Sequence, residues 1–166
     1  MPAKTLDDMF FDGVKDIYYA ERQIVKALKK MSRGAKDQAL KAAFDKHLQE
    51  TEGQVERLLE IFELLGKPAR GKTCPAIDGI LEEGSEILEE FKDSDALDAG
   101  LLAAAQAVEH YEIARYGTLK AWALQLGKPD IANILTVTLI EETKTDEALT
   151  QLANAAVNSK GKPKAA

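Results

Sequence analysis

The stretch Leu101–Ala123, LLAAAQAVEHYEIARYGTLKAWA, decides how the chain is read. Its apolar residues recur at Leu101, Ala105, Val108, Tyr116, Leu119 and Ala123. Those steps of three, four and eight follow a helix of 3.6 residues per turn. One residue breaks the stripe, because Glu112 stands where an apolar side chain is due. A carboxylate on the buried face of a helix is costly unless something compensates it. Glu109 lies one turn earlier and about 60° round the helix.

The same pattern recurs outward from this segment. Leu6, Phe10, Ile17, Ile24, Leu28 and Met31 form a stripe that predicts a helix over about 6–31, interrupted by Glu21. A second helix is expected from an N-cap at Asp37 through Leu40, Phe44, Leu48, Val55, Leu58, Phe62 and Leu65. Its stripe passes through Thr51, which leaves Glu50 at the flank with His47 three residues before it and Gln54 four after. A shorter helix spans about 76–92, and the helix built on the opening stretch covers about 96–126. The last runs over about 130–157 with Ile131, Leu135, Leu139, Leu149 and Leu152 apolar. Glu142 interrupts that stripe, and Asp146 follows four residues on and about 40° round.

The prolines agree with this reading. Pro2, Pro68, Pro75, Pro129 and Pro163 leave proline-free runs of 65, 53 and 33 residues, and helix interiors exclude proline. Leu-Gly-Lys-Pro occurs at 65–68 and at 126–129, which reads as the same C-cap used twice. Gly34, after Ser32 and Arg33, is expected to end the first helix at a positive φ. Sustained two-residue alternation, the sign of strands, is absent from the sequence. The expectation is an all-α fold of four long helices. A short connection joins the third long helix to the fourth, and a long crossover with its own short helix joins the second to the third. That is the connectivity of ferritin-like bundles.

Composition bounds the function. The chain has 166 residues, 22 basic and 28 acidic, for a net charge of −6. The acidic balance argues against a general nucleic-acid binder. A single cysteine, Cys74, excludes an intramolecular disulfide. The longest uncharged runs are ten residues each, 99–108 and 131–140, against the ~20 needed to span a bilayer. The start of the chain carries Asp7 and Asp8 and no apolar signal core, so the expectation is a cytoplasmic protein. Residues 1–159 read as one helical domain. Residues 160–166, with Lys160, Lys162 and Lys164 and no acid, read as a disordered tail.

Each interrupting acid falls near the middle of its helix, and in an antiparallel bundle midpoints meet at one level. The acids then converge in a buried layer, where they need cations or protons. The alternative is that they face outward, or pair with Arg22, Arg57, Arg115 and Lys144. Two divalent ions would neutralise four carboxylates, and hard oxygen ligands suit iron or manganese. Tyr18, Tyr19, Tyr111 and Tyr116 lie at the same depth as these acids.

The segments DIYYAERQ (16–23), HLQETEGQVERL (47–58), VEHYEIARYGTL (108–119) and LIEETKTDEAL (139–149) resemble the YciE/YciF stress-protein family of the ferritin-like superfamily. The resemblance implies a ferritin-like bundle, a homodimer and a rubrerythrin-like di-metal centre. It implies Glu21, Glu50, Glu109, Glu112 and Glu142 as ligands, with Asp146 placed to add another. Ferritin-like iron proteins usually carry Glu-x-x-His on the second and fourth helices. Here Gly53 follows Glu50 and Thr145 follows Glu142 at that spacing. His47 shares a face with Glu50 and can approach from the other side, whereas His110 points about 100° away from Glu109. The functional expectation is a stress-response protein whose di-iron or di-manganese centre reacts with O₂ or peroxide. The alternative is a non-enzymatic dimeric module with a vestigial or empty site.

Overall fold

The computed structural model describes residues 3–162. Five long or medium helices follow in order: α1 Leu6–Gly34, α2 Gln38–Leu64, α3 Pro75–Glu90, α4 Leu97–Gln125 and α5 Pro129–Leu152. A π-helical turn, Ala153–Val157, continues α5 into a three-residue helix, Asn158–Lys160. There is no strand among the described residues.

Local chemistry sets the boundaries. Thr5 and Asp8 cap each other at the start of α1, a reciprocal arrangement that satisfies two free N–H groups. The Asp37 carboxylate accepts from the N–H groups of Ala39 and Leu40 at the start of α2. Gly66 and Gly127 end α2 and α4 at φ of 61° and 67°. After each, the lysine N–H reaches back to a carbonyl of the last turn, Lys67 to Phe62 at 3.0 Å and Lys128 to Ala123 at 2.8 Å. The repeated Leu-Gly-Lys-Pro is therefore one C-cap built twice. Gly34 differs from expectation. It ends α1 without a positive φ, and its missing side chain leaves room for Leu88 of α3.

α1 packs on α2, α2 on α5, α5 on α4 and α4 back on α1. Each neighbouring pair is antiparallel. Tyr18 meets Phe62 while Lys29 meets Glu52, and Arg57 meets Thr138 while Glu50 meets Thr145. Four antiparallel contacts in a ring make α2 and α4 parallel, so the chain must return the length of the bundle between them. The crossover does this, and its helix α3 lies against α1 and α4. The fold is a ferritin-like four-helix bundle with an extra helix on the crossover.

The crossover is tied down at several points. The Lys72 N–H donates to the Lys15 carbonyl at 3.0 Å, and the Tyr19 hydroxyl donates to Asp78 at 2.9 Å. Cys74 is buried. It caps α3 and lies 3.1 Å from the Tyr111 hydroxyl.

Phe10, Phe44, Phe62, Leu101 and Leu135 are among the buried side chains of the core. Two adjacent apolar pairs, Phe10–Phe11 and Leu101–Leu102, are accommodated within this chain. Phe11 stacks edge-on against Phe62 with centroids 6.2 Å apart, and Leu101 and Leu102 are both buried. Lys160, assigned from sequence to the tail, closes the last short helix, and its ammonium pairs with Asp37. Residues 163–166 lie outside the described residues.

Candidate metal centre

The polar layer forms where the bundle would otherwise be apolar. α1 contributes Glu21, α2 His47, Thr51 and Gln54, α4 Glu109, Glu112 and Tyr116, and α5 Glu142. Glu21, Glu112 and Glu142 have no accessible surface, Glu109 has 1% and His47 has 3%. Four carboxyls have thus left water together. One ligand atom from each of His47, Glu109, Glu112 and Glu142 lies within 4.8 Å of all the others. His47 Nε2 is 3.0 Å from Glu109 Oε1 and 4.0 Å from Glu112 Oε2.

Glu21 joins the group through Glu112, with which its carboxyl is in hydrogen-bond range. The Tyr116 hydroxyl donates to its other side at Oε1. Gln54 Nε2 donates to Glu142 Oε1, and at 3.1 Å to Glu141 Oε2. The Arg57 guanidinium pairs with Glu141 and donates to Thr138 Oγ1 at 3.0 Å. Arg57 and Gln54, both on α2, thus converge as donors on Glu141, and Gln54 also donates to Glu142 and orients its carboxylate.

Burial and crowding shift the protonation of all four acids. Loss of hydration pushes Glu109 up to about 8, with further repulsion from Glu21, Asp146 and Glu50. Glu112 is raised well above the usual carboxylate range by burial and then by the charges of Glu142, Glu21 and Glu109. Glu142 rises well above that range by burial and the nearby Glu109, eased by His47. Burial also raises Glu21, while the contacts from Glu112 and Tyr116 oppose the rise. Without a cation these shifts favour the protonated acids, with Glu112 facing Glu21 and Glu142 facing Glu109.

With the acids ionised, the layer is left unsatisfied. Nine buried side-chain nitrogen and oxygen atoms among the described residues have no hydrogen-bond partner. All nine belong to Glu21, His47, Gln54, Glu109, Glu112 and Glu142. Native interiors leave very few such atoms, and a cluster calls for an explanation. A cation among carboxylate oxygens and an imidazole nitrogen would take up most of these lone pairs at once, so the donor set fits a metal ion.

The sequence-predicted residues divide. Glu109, Glu112 and Glu142 come together, and Glu21 lies beside them. Glu50 and Asp146 sit at the rim. The Glu50 carboxylate is 3.2 Å from Lys46 Nζ and accepts from Thr145 at 3.4 Å. Asp146 is 3.2 Å from His110 Nε2 and accepts from Gln106 at 3.4 Å. The reason is helix rotation. The buried face of α2 runs Leu40, Phe44, His47, Thr51, Gln54, Leu58, so His47 is on the stripe itself and Glu50 is turned aside. The signal was present in the sequence as three polar residues, 47, 51 and 54, at core spacing. Of the four tyrosines, Tyr116 reaches the acids. Tyr111 donates to Asp16 at 2.8 Å, Tyr19 donates to Asp78, and Tyr18 packs on Phe62 at 5.3 Å.

Residues 5–161 match the family described as Domain of unknown function (DUF892). Protein YciF of Escherichia coli strain K12 is 43% identical over 166 residues, covering 99% of this chain and all of that one. The crystal structure of that E. coli stress protein superposes with a TM-score of 0.89, covering 94% of this chain and 99% of its own. YcfI of Rhodopseudomonas palustris is 48% identical, with a TM-score of 0.85, and covers 89% of this chain and 94% of its own.

Proposed function

The chain belongs to the DUF892 family, and from that premise we propose that it is a ferritin-like stress-response protein whose bundle core binds divalent iron or manganese. The observation that carries the reading is the set of nine unpartnered buried atoms on six residues of one layer. Carboxylate oxygens favour hard ions and the imidazole favours mid-row ones, and the two preferences overlap at iron and manganese. His47, Glu109, Glu112 and Glu142 would hold a first ion, and Glu21 beside Glu112 would share in a second. Glu50 and Asp146 are placed to join from the rim. When bound, such ions supply one-electron chemistry toward O₂ or peroxide.

The chain's own residues supply the rest. Tyr116 orients Glu21 and Gln54 orients Glu142, the outer contacts that tune metal sites. Phe44 and Leu58 on α2 and Leu119 on α4 are buried and close the same bundle against water. The paired acids release their protons as cations enter, which ties binding to pH. The relatives' stress role, a cytoplasmic location and a homodimer complete the proposal. No described helix is long and apolar enough to cross a membrane.

A second reading has one observation in its favour. Gly53 and Thr145 stand where imidazoles are usual, and the tight cluster contains four ligand groups. A structural or scaffolding module with an empty site would tolerate this set.

Metal analysis of protein purified without chelators, combined with thermal unfolding in manganese or anaerobic ferrous iron, separates the readings. Stoichiometric metal and a higher melting temperature, both lost in His47→Ala and Glu112→Gln, support the metal centre. Metal-free protein with no shift supports the scaffold.

A further inference from the structure

The outer face of the α1–α2 pair is lined by two edges of opposite charge. A groove of about 710 Å³ runs between the helices, with the half-buried Val25, Gly53 and Val55 in it. Along its α1 edge stand Arg22, Lys26 and Lys29, all exposed. Along its α2 edge stand the exposed Glu52 and Glu56, and Glu60 continues that edge one turn on. A Cβ at Gly53 would have nothing within 4 Å, so the groove is open where another surface would come closest.

The two edges are in register, yet most of their charges do not pair within the chain. Tyr18 meets Phe62 and Lys29 meets Glu52, which sets Arg22 and Lys26 within a helical turn of the level of Glu56. Lys29 reaches Glu52 at 3.4 Å. Arg22 instead lies over the Tyr18 ring at 5.5 Å, and Lys26 donates to Gln23 at 3.3 Å. Arg22, Lys26, Glu56 and Glu60 have no ion-pair partner among the described residues. A second copy of the chain supplies the missing partners. A two-fold axis parallel to the helices lays the α1 edge of each copy on the α2 edge of the other, at the same level. Each basic residue then faces an acid, and symmetry makes every such contact twice. A two-fold axis across the helices would lay basic edge on basic edge and acidic on acidic, which costs affinity.

We propose that this groove is the interface of a homodimer whose two-fold axis runs parallel to α1 and α2. Val25 and Val55 lie at its centre, and Arg22, Lys26 and Lys29 of each copy face Glu60, Glu56 and Glu52 of the other. The inference rests on the homodimer of the proposed function and adds the surface and its orientation. It uses no residue of the acidic layer, so it stands or falls independently of any metal there.

The test is the dimer dissociation constant of the full-length protein by analytical ultracentrifugation. Two double variants reverse one edge each, Lys26→Glu with Lys29→Glu, and Glu52→Lys with Glu56→Lys. Either one alone puts like charges on both halves of the interface and should weaken the dimer about tenfold or more. Mixed in equal amounts, the two should recover the wild-type dissociation constant, because in the mixed pair each edge again meets its opposite. Gly53→Trp, whose side chain enters the open groove, should give a folded monomer. The changed charges are exposed, so circular dichroism spectra should match the wild type. A dimer unaffected by both double variants and by Gly53→Trp overturns the interface and leaves the homodimer standing. Two weakened variants whose mixture does not recover overturn the parallel axis. A wild type that is monomeric at micromolar concentration overturns the homodimer and this interface together.

Discussion

Replacing Glu109 by Gln in metal-free protein should raise its stability at neutral pH, although the residue is buried and central. Burial raises the Glu109 pKa from an ordinary 4.5 to about 8. The folded state therefore prefers the protonated acid. Its contribution is fully present below pH 4.5 and is lost as pH rises toward 8. Each tenfold in proton affinity is worth about 1.4 kcal/mol. By pH 7 the wild type should have lost about 3 kcal/mol at this position relative to pH 4. Glutamine keeps the shape of the protonated acid and has no proton to lose. For a chain of this length, 1 kcal/mol moves the melting temperature by about 2–4 °C. The metal-free variant should then melt up to about 6–12 °C higher at pH 7 and level with the wild type near pH 4. That range is an upper bound, because Glu142 and Glu112 share the same protons.

Manganese should close most of that gap. A ligand present at one hundred times its dissociation constant stabilises by about 2.7 kcal/mol, and the variant should lose most of that increment. The assay is thermal unfolding by circular dichroism from pH 4 to 8, with chelator and with manganese. If metal-free Glu109→Gln is less stable than the wild type at pH 7, Glu109 is an ionised partner of His47. The proton-sharing account would then be wrong.

Tyr116→Phe removes the donor to buried Glu21 and should cost about 1–3 kcal/mol in metal-free protein at pH 7, measured by urea unfolding. An unchanged midpoint would show that Glu21 does not need the hydroxyl. Gly66→Ala and Gly127→Ala force alanine into a left-handed conformation, and each should cost about 1–2 kcal/mol. A stabilised variant at either position would contradict the C-cap geometry. Light scattering should give twice the 18.1 kDa mass of one chain, and a monomer at micromolar concentration would remove the dimer from the proposed function. Deleting residues 160–166 takes away the exposed Lys160–Asp37 pair, and the melting temperature should stay within error. A drop of several degrees would mean that this end of the chain supports the bundle.

The sequence by itself determined the helices, their order and the crossover. Helix periodicity, proline spacing and glycine caps are local properties, written within a few residues of where they act. It also determined that Glu21, Glu112 and Glu142 face the core, because each stands at core spacing on the apolar stripe of its helix. Tertiary packing decided the rest, since a ligand set depends on how four helices rotate about their own axes. The stripe of α2 could be drawn through Leu48 and Val55 or through Phe44 and Leu58, and packing chose the second. That rotation brought His47 and Gln54 inward and left Glu50 to Lys46 at the rim. It likewise gave Asp146 to His110. Cys74 and Tyr111 are 37 residues apart and share a contact only because α3 folds back over α1 and α4. The order of helices is a local matter, but which side chains meet depends on angles of tens of degrees that only the packed core fixes.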